Sequence, residues 1–209
     1  MSNTEVPDPK TYYAGLLKQH GATPAAVDAS TEGLDIRHRT LRSKFGKLYG
    51  KSVLEVGCGY GALRRWFPDT AYTGVDICPE MISAAIGLDL VERSIYQYAQ
   101  PAFEVRDILT NPFPHTFDFV VASGLFQFNH GLELVDHLVK AMWDHTAHVL
   151  AFNMLSRKTA PQQWVNTELH AWPERVLADC FELTPYVEVD HGYMPHDFTV
   201  VMRREPRPA

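Results

Sequence analysis

The stretch from Val53 to Leu63 constrains the fold of this 209-residue chain more than any other. It starts as an apolar run, which is typical of a buried parallel strand. It then passes through glycines at positions 57, 59 and 61 and into residues that favour a short helix. Glycine accepts positive φ and lets a ligand approach the backbone. A strand followed by this turn therefore predicts a nucleotide cradle.

Acidic residues lie where the first three predicted strands end. Glu55 comes just before the glycine turn, so we expect its carboxylate to point into the crevice. Asp76 ends the second strand, 19 positions after Gly57. This is close to the roughly 20-residue spacing at which an acid reaches ribose hydroxyls in nucleotide-binding α/β units. Asp107 lies near the end of the third strand.

Strands alternate with helices along the chain, which predicts a mostly parallel sheet with right-handed crossovers. The predicted strands cover 53–56, 71–77, 103–108, 117–124, 148–153, 183–191 and 197–204, and the predicted helices cover 9–20, 31–49, 63–67, 132–145, 173–180 and a segment that starts at 79. The predicted fold is α/β: a Rossmann-like open sheet of seven strands with helices on both faces. The C-terminal hairpin adds one antiparallel strand. We expect a single domain over 1–209, with an N-terminal helical cap (1–49) and an α/β core (50–205).

Ligands of open α/β sheets bind beyond the carboxyl ends of the parallel strands. This rule predicts that one edge of the sheet carries the candidate site. The segments expected there are Glu55–Gly61, Asp76, Asp107, Ser123–His130, Asn153–Leu155 and the hairpin tip His191–Asp197.

Composition narrows the class of protein. A net charge of −6 argues against nucleic-acid binding, which needs clustered Lys and Arg. No apolar run reaches the roughly 18 residues of a membrane span, and the N-terminus lacks the basic start and apolar core of a signal peptide. The three cysteines cannot all pair, which favours a reducing compartment. We expect a cytoplasmic monomer or homodimer.

The ordered motifs resemble the class I S-adenosylmethionine-dependent methyltransferases over roughly residues 50–205. Glu55-Val-Gly57-Cys-Gly59-Tyr-Gly61 resembles the acidic-x-Gly-x-Gly-x-Gly motif of the family. Gly74-Val-Asp76-Ile, followed by 79–82, resembles its second motif, and the final hairpin resembles its reversed last strand. The segment 183–199 also resembles small bacterial methyltransferases whose acceptors are mostly unassigned.

The resemblance implies S-adenosylmethionine as cofactor and gives roles to individual residues. The turn residues Gly57, Cys58 and Gly59 would lie against its methionine part, with Ser123 near the methionyl end. Asp76 would accept from both ribose hydroxyls, and Ile77, Met81, Asp107 and Ile108 would surround the adenine. Glu55 would order water or the ammonium region, Arg37 would pair with the carboxylate, and Tyr13 would fold over the cofactor.

A catalytic base is needed only if the acceptor must lose a proton. The candidates are His196, His130 and Tyr193, with Asp197 beside His196 as a helper. His191 is a further histidine expected on the same edge. Two tryptophans of the segment 154–172, Trp164 and Trp172, are candidates for lining an acceptor pocket.

Several alternatives stay open at this point. Gly57-x-Gly59-x-x-Ala62 also fits the looser dinucleotide fingerprint, so an NAD(P)-dependent oxidoreductase is the first rival. The others are a non-catalytic S-adenosylmethionine-binding protein and an enzyme that transfers another group, such as the aminocarboxypropyl arm. The cysteines are too far apart in sequence for a zinc motif, so we expect no metal. A small-molecule acceptor, methylated on oxygen or nitrogen, is the favoured function.

Overall fold

The computed structural model of the chain describes residues 6–96, 99–160 and 167–206. The helices are α1 (Pro9–His20), α2 (Thr31–Ser43), α3 (Pro79–Tyr96), α4 (Leu132–Asp144) and α5 (Pro173–Phe181). The strands are β1 (Ser52–Val56), β2 (Ala71–Asp76), β3 (Ala102–Val105), β4 (Phe117–Ala122), β5 (Thr146–Ser156), β6 (His170–Ala171), β7 (Val187–Asp190) and β8 (Asp197–Arg203). Short 3₁₀ turns at Pro24–Val27 and Arg64–Trp66 complete the regular structure.

The strands form one open sheet with the order β3-β2-β1-β4-β5-β8-β7. Strand β8 runs antiparallel to both β5 and β7, while the other pairings are parallel. The predicted Rossmann-like α/β fold is therefore confirmed. Because β7 is parallel to β5, the turn between β7 and β8 lies at the same edge as the carboxyl ends of the parallel strands.

An eighth strand is the main departure from the predicted topology. The two residues of β6 pair with Leu155 and Ser156 at the end of β5, off the main strand order. A two-residue strand shows no period-2 alternation, so pattern alone gives no signal for it.

Apolar side chains on the two faces of the sheet form two separate hydrophobic cores. Leu54 of β1 packs with α4 and α5 on one face, through residues such as Met142 and Val176. Val53 packs on the other face with Leu41 of α2. Side chains of successive strand residues point to opposite faces, so the sheet has helices on both sides, as expected.

Several element boundaries differ from the predicted ones; for example, β5 extends beyond the predicted 148–153 at both ends, and β7 begins at Val187 rather than at 183. Helix α2 ends at Ser43 rather than near Tyr49, because Phe45 and Leu48 turn back into the core beneath β1. Strand β3 ends at Val105, and the carboxylate of Asp107 accepts from the N–H of Leu109. That hydrogen bond closes a turn in place of continued strand.

The N-terminal segment covers the carboxyl edge of the sheet. Ala26 and Leu34 pack with Tyr60 and Met81 in a third apolar cluster, and Tyr13 packs against it. Helix α1 lies against α3 and against the 3₁₀ turn Pro24–Val27. Within the described ranges, no helix is both long and apolar enough to cross a membrane.

Candidate functional site

A cavity of about 270 Å³ lies at the carboxyl edge, under the N-terminal segment. Its walls come from the ends of β1 and β2, the loops after β3 and β4, helix α4, and the segment from Pro9 to Arg37. Most of the predicted site residues line it: Tyr13, Arg37, Gly57, Gly59, Asp76, Ile77, Met81, Asp107, Ile108, Ser123 and His130. Residues far apart in sequence thus converge on one mostly apolar pocket.

The glycine turn forms one wall of the cavity. Gly57, Gly59 and Gly61 all have positive φ, of 72°, 52° and 81°. A Cβ on Gly57 would lie 2.8 Å from Cδ1 of Leu125, and one on Gly61 would lie 3.1 Å from Cβ of Ala85. Gly57 and Gly59 therefore keep the backbone open to the cavity, whereas Gly61 allows close packing against α3.

Asp76 joins this turn to the loop after β2. One carboxylate oxygen accepts from the N–H of Gly59 at 2.9 Å, and the other accepts from the N–H of Cys78 at 2.9 Å. Burial raises the pKa of Asp76, and the backbone N–H groups oppose that rise. Each carboxylate oxygen can accept more than one hydrogen bond, so Asp76 retains capacity for two ligand hydroxyls.

The loop after β3 closes one end of the cavity. Ile108 is buried and faces the cavity together with Ile77. Asp107 also lines it, and one of its oxygens accepts from the N–H of Leu109 at 2.9 Å. Arg106, which no sequence motif indicates as a site residue, lines the same end and pairs with Glu104. A flat ring between apolar side chains and a carboxylate fits this end.

Aromatic residues of α1 form the roof. The hydroxyl of Tyr13 donates to Oε1 of Gln127 at 3.1 Å, and that of Tyr12 donates to Asp28 at 2.9 Å. Both rings pack on Phe128, with centroid distances of 5.5 and 5.1 Å. Burial is the main cause that raises the pKa of Tyr13. The roof thus joins α1 to the loop after β4.

Glu55 does not point into the crevice, contrary to expectation. It is 2% exposed and accepts a hydrogen bond from the hydroxyl of Tyr72. Strand alternation puts Glu55 on the same face as Val53, towards the core beneath α2 rather than towards the cavity. Burial raises the pKa of Glu55 to about 8.

Three other predicted site residues lie outside the cavity lining. Cys58 is buried beneath the turn, because it points away from the side that its glycine neighbours leave open. The hydroxyl of Tyr193 donates to Asp197 at 2.8 Å and accepts from Thr199 at 2.9 Å. The side chain of His196 does not share in these contacts, although it precedes Asp197. Neighbours at the start of a strand point to opposite faces, so the expected His196–Asp197 pair does not form.

Asp197 binds Arg37 instead. It is 0% exposed, and it accepts from Nε of Arg37 and from Nδ2 of Asn153. Oδ1 of Asn153 accepts from the N–H of Gly124 at 2.9 Å. This buried network connects α2, the loop after β4, β5 and β8. Nothing in the local sequence pattern around Arg37 or Asp197 indicates it.

The remaining candidate histidines and tryptophans differ in whether they line the cavity. His130 is the one histidine among the residues that line the cavity. The ring of His191 binds the hydroxyl of Ser156 at 2.7 Å and stacks on Phe198. Trp172 is 42% exposed beneath the ammonium group of Lys158, and Trp164 lies outside the described residues. Across the described chain, no three His, Cys, Asp or Glu side chains are grouped so that they could hold a metal ion.

Comparisons with known proteins agree with this geometry. Residues 54–153 match the model of a family described as a methyltransferase domain. A protein of Mycobacterium tuberculosis (strain ATCC 25618 / H37Rv), Rv1506c, provisionally named a methyltransferase, is 28% identical over 166 residues. The match covers 73% of this chain and 93% of Rv1506c.

Two solved structures share the fold. The N-methyltransferase NodS from Bradyrhizobium japonicum WM9, in complex with S-adenosylhomocysteine, has a TM-score of 0.67 at 19% identity, covering 93% of this chain and 98% of its own. The magnesium protoporphyrin IX methyltransferase ChlM from Synechocystis PCC 6803, also with bound S-adenosylhomocysteine, has a TM-score of 0.67 at 16% identity, covering 93% and 94%. The chain therefore has the fold of these two methyltransferases, and its residues 54–153 match the methyltransferase domain model.

The first prediction concerns the glycine turn. Replacing Gly57 by Ala should weaken S-adenosylhomocysteine binding by about tenfold or more, because the added methyl group would be strained at positive φ and would contact Leu125. Isothermal titration calorimetry measures the affinity. Gly87→Ala is the matched control, since a Cβ there meets no atom within 4 Å. Equal affinity for S-adenosylhomocysteine in the two variants would contradict the assignment of the glycine turn to cofactor binding.

The second prediction concerns Glu55. Its pKa is about 8 in the folded protein against an ordinary value of 4.5. The folded protein therefore holds a proton that the unfolded chain releases, so this contribution to stability is present below about pH 4.5 and is lost as the pH rises towards 8. In Glu55→Gln, the free energy of unfolding should fall less between about pH 5 and pH 8 than in wild type.

Urea unfolding at several pH values measures this difference. Glu133→Gln, which removes an exposed carboxyl group on α4, should retain the wild-type pH dependence. A parallel pH dependence in wild type and Glu55→Gln would mean that Glu55 is ionised in the folded protein.

Proposed function

We propose that the protein transfers a methyl group from S-adenosylmethionine to an oxygen or nitrogen atom of a small-molecule acceptor. The observation that carries the cofactor part is the position of Asp76 on the cavity wall. Its two oxygens are fixed by backbone N–H groups from the glycine turn and from the next loop. A carboxylate fixed in this way suits a pair of ribose hydroxyls.

The lining residues fit the parts of this cofactor. The open backbone at Gly57 and Gly59 and the nearby Ser123 would hold the amino acid part. Ile77, Met81 and Ile108 would pack on the adenine, and Asp107 would accept from its amino group. Tyr13 would cover the cofactor from above. When bound, S-adenosylmethionine supplies a methyl group already activated on a sulfonium, so correct positioning of the acceptor supplies much of the rate.

The shape of the site favours a small acceptor. Helix α1 and the loop after β4 are joined across the cavity by Tyr13, Gln127 and Phe128. That roof leaves no broad groove for a macromolecule over the described part of the site. The net charge of −6 also disfavours a nucleic acid.

His130 is the proposed base for an acceptor that must lose a proton. It lines the cavity and is exposed at its rim, next to Gly131 at the start of α4. A rim position lets it receive a proton from an acceptor group and pass it to solvent. His196 and Tyr193, which lie outside the lining, are not needed for this role.

The third prediction separates the proposal from the oxidoreductase alternative. Calorimetry with S-adenosylmethionine, S-adenosylhomocysteine and NADH should detect binding of the first two only. Asp76→Asn should weaken S-adenosylhomocysteine binding by about 10- to 100-fold, because hydrogen bonds to a charged acceptor are lost. Asp144→Asn, at an exposed site on α4, is the control. Binding of NADH alone would identify an oxidoreductase.

The fourth prediction concerns His130. With a panel of small hydroxyl and amine acceptors, release of S-adenosylhomocysteine measures turnover. For a hydroxyl acceptor, His130→Asn should lower kcat by about 100-fold or more and leave S-adenosylhomocysteine affinity unchanged. His196→Asn should keep the wild-type kcat. The reverse pattern would transfer the role of base to His196.

A further inference from the structure

Arg37 lies where two cavities meet. A second cavity of about 20 Å³ adjoins the main one. The two share Arg37, Gly124, Phe126 and Gln127 as lining residues, and the far wall of the smaller one includes Asn153 and Asp197. The smaller cavity is thus a side chamber of the main site, and its far wall sets the polar groups of Asn153 and Asp197 beside Met154 and Leu155.

The side chamber lies on the part of the sheet away from the ribose-binding carboxylate. Asp76 ends β2, on one side of β1, whereas Asp197 begins β8, three strand positions away on the other side. At about 4.8 Å between neighbouring strands, β8 is roughly 14 Å from β1. A ligand group in the chamber therefore belongs beyond the cofactor, where the acceptor must approach.

The guanidinium of Arg37 is fixed and still has free donors. Nε donates to Asp197, and within the described part of the chain neither terminal nitrogen has a hydrogen-bond partner. Asp197 also accepts from Tyr193 at 2.8 Å and from Asn153 at 3.3 Å. These neutral donors share the charge of Asp197, so Arg37 keeps its attraction for a second anion.

A carboxylate fits these donors and this space. The two terminal nitrogens of a guanidinium form a planar fork that matches the two oxygens of a carboxylate. Oε1 of Gln127 is taken by Tyr13, so its amide nitrogen is a further donor on the shared wall. A chamber of about 20 Å³ has room for one or two water-sized groups. This suits the oxygens of a carboxylate better than a bulkier phosphate.

We propose that the methyl acceptor is a carboxylic acid, whose carboxylate is held by Arg37 at the side chamber between the loop after β4 and the start of β8. This inference rests on the proposed function and names its substrate class. Asp197, Asn153 and Tyr193 then act as positioning residues, because they orient Arg37 and do not touch the reacting atoms.

The rival source of a carboxylate is the cofactor itself, since its methionine part carries one. The two sources differ in which affinity depends on Arg37. If the acceptor supplies the carboxylate, replacing Arg37 changes the KM for the acceptor. If the cofactor supplies it, the same replacement changes the affinity for S-adenosylhomocysteine.

The experiment, which is the fifth prediction, uses a panel of small hydroxy and amino carboxylic acids, each paired with its carboxamide. Wild type, Arg37→Gln, Arg37→Lys and Arg39→Gln are assayed with S-adenosylmethionine by release of S-adenosylhomocysteine, and their S-adenosylhomocysteine affinity is measured by calorimetry. Arg39 is the matched control, because it lies on the same helix but is exposed and pairs only with Asp35 among the described residues.

In wild type, acids should be used about 10- to 100-fold better than their carboxamides. Arg37→Gln should remove this preference by raising the KM for acids, with unchanged affinity for S-adenosylhomocysteine. Arg37→Lys should restore part of the preference, because it keeps the charge without the fork. Arg39→Gln should behave as wild type.

Three results would overturn the inference: no acid is methylated, acids and carboxamides are used equally, or Arg37→Gln weakens S-adenosylhomocysteine binding by a comparable factor. If wild type binds neither S-adenosylmethionine nor S-adenosylhomocysteine, the proposed function fails and this inference fails with it. Asp197→Asn provides a second variant. It should raise the KM for acids while S-adenosylhomocysteine binding reports that the protein is folded.

Discussion

The hydrogen bonds of Asp76 set the geometry of the site. Its carboxylate accepts from the N–H of Gly59 in the turn after β1 and from the N–H of Cys78 in the loop after β2. The side chain thereby joins the two loops, and it places a carboxylate at their junction. The glycine turn follows a path of positive φ that residues with a Cβ rarely adopt, and on this path the Gly59 N–H lies within hydrogen-bonding distance of Asp76. The cavity wall, the proposed ribose contact and the direction of the bound cofactor all follow from this arrangement.

The carboxyl groups of Asp76 and Glu55 lie near the same turn but have different surroundings. Asp76 receives backbone N–H groups that oppose the effect of burial on its pKa. Glu55 is buried, and the hydrogen bond from the Tyr72 hydroxyl does not outweigh the desolvation, so its pKa rises to about 8. Asp76 is therefore suited to accept from ligand hydroxyls, whereas Glu55 holds the first strand and the second together from inside. Equal acidity in the sequence does not mean equal function, because burial and donors decide which form is stable.

Local patterns were enough to predict the framework. The apolar runs, the glycine turn and the acids at strand ends predicted a Rossmann-like sheet, and the structure brings Gly57, Asp76 and Asp107 together on one cavity. The patterns failed where the outcome depends on contacts distant in sequence. Arg37 and Asp197 are 160 residues apart, and only the antiparallel placement of β8 beside β5 makes them neighbours. The motif also misplaces Glu55, because it does not show that Tyr72 of the neighbouring strand lies on the same face of the sheet and donates to its carboxylate.

The most direct test of the account is a crystal structure of the protein with S-adenosylhomocysteine. The account predicts that the ligand fills the cavity under α1, with both ribose hydroxyls within hydrogen-bonding distance of Asp76 and the adenine beside Ile77 and Ile108. Its amino acid part should lie along the glycine turn, and Arg37 should remain bound to Asp197 with its terminal nitrogens free for the acceptor. A ligand bound elsewhere, or one whose ribose does not contact Asp76, would contradict the account.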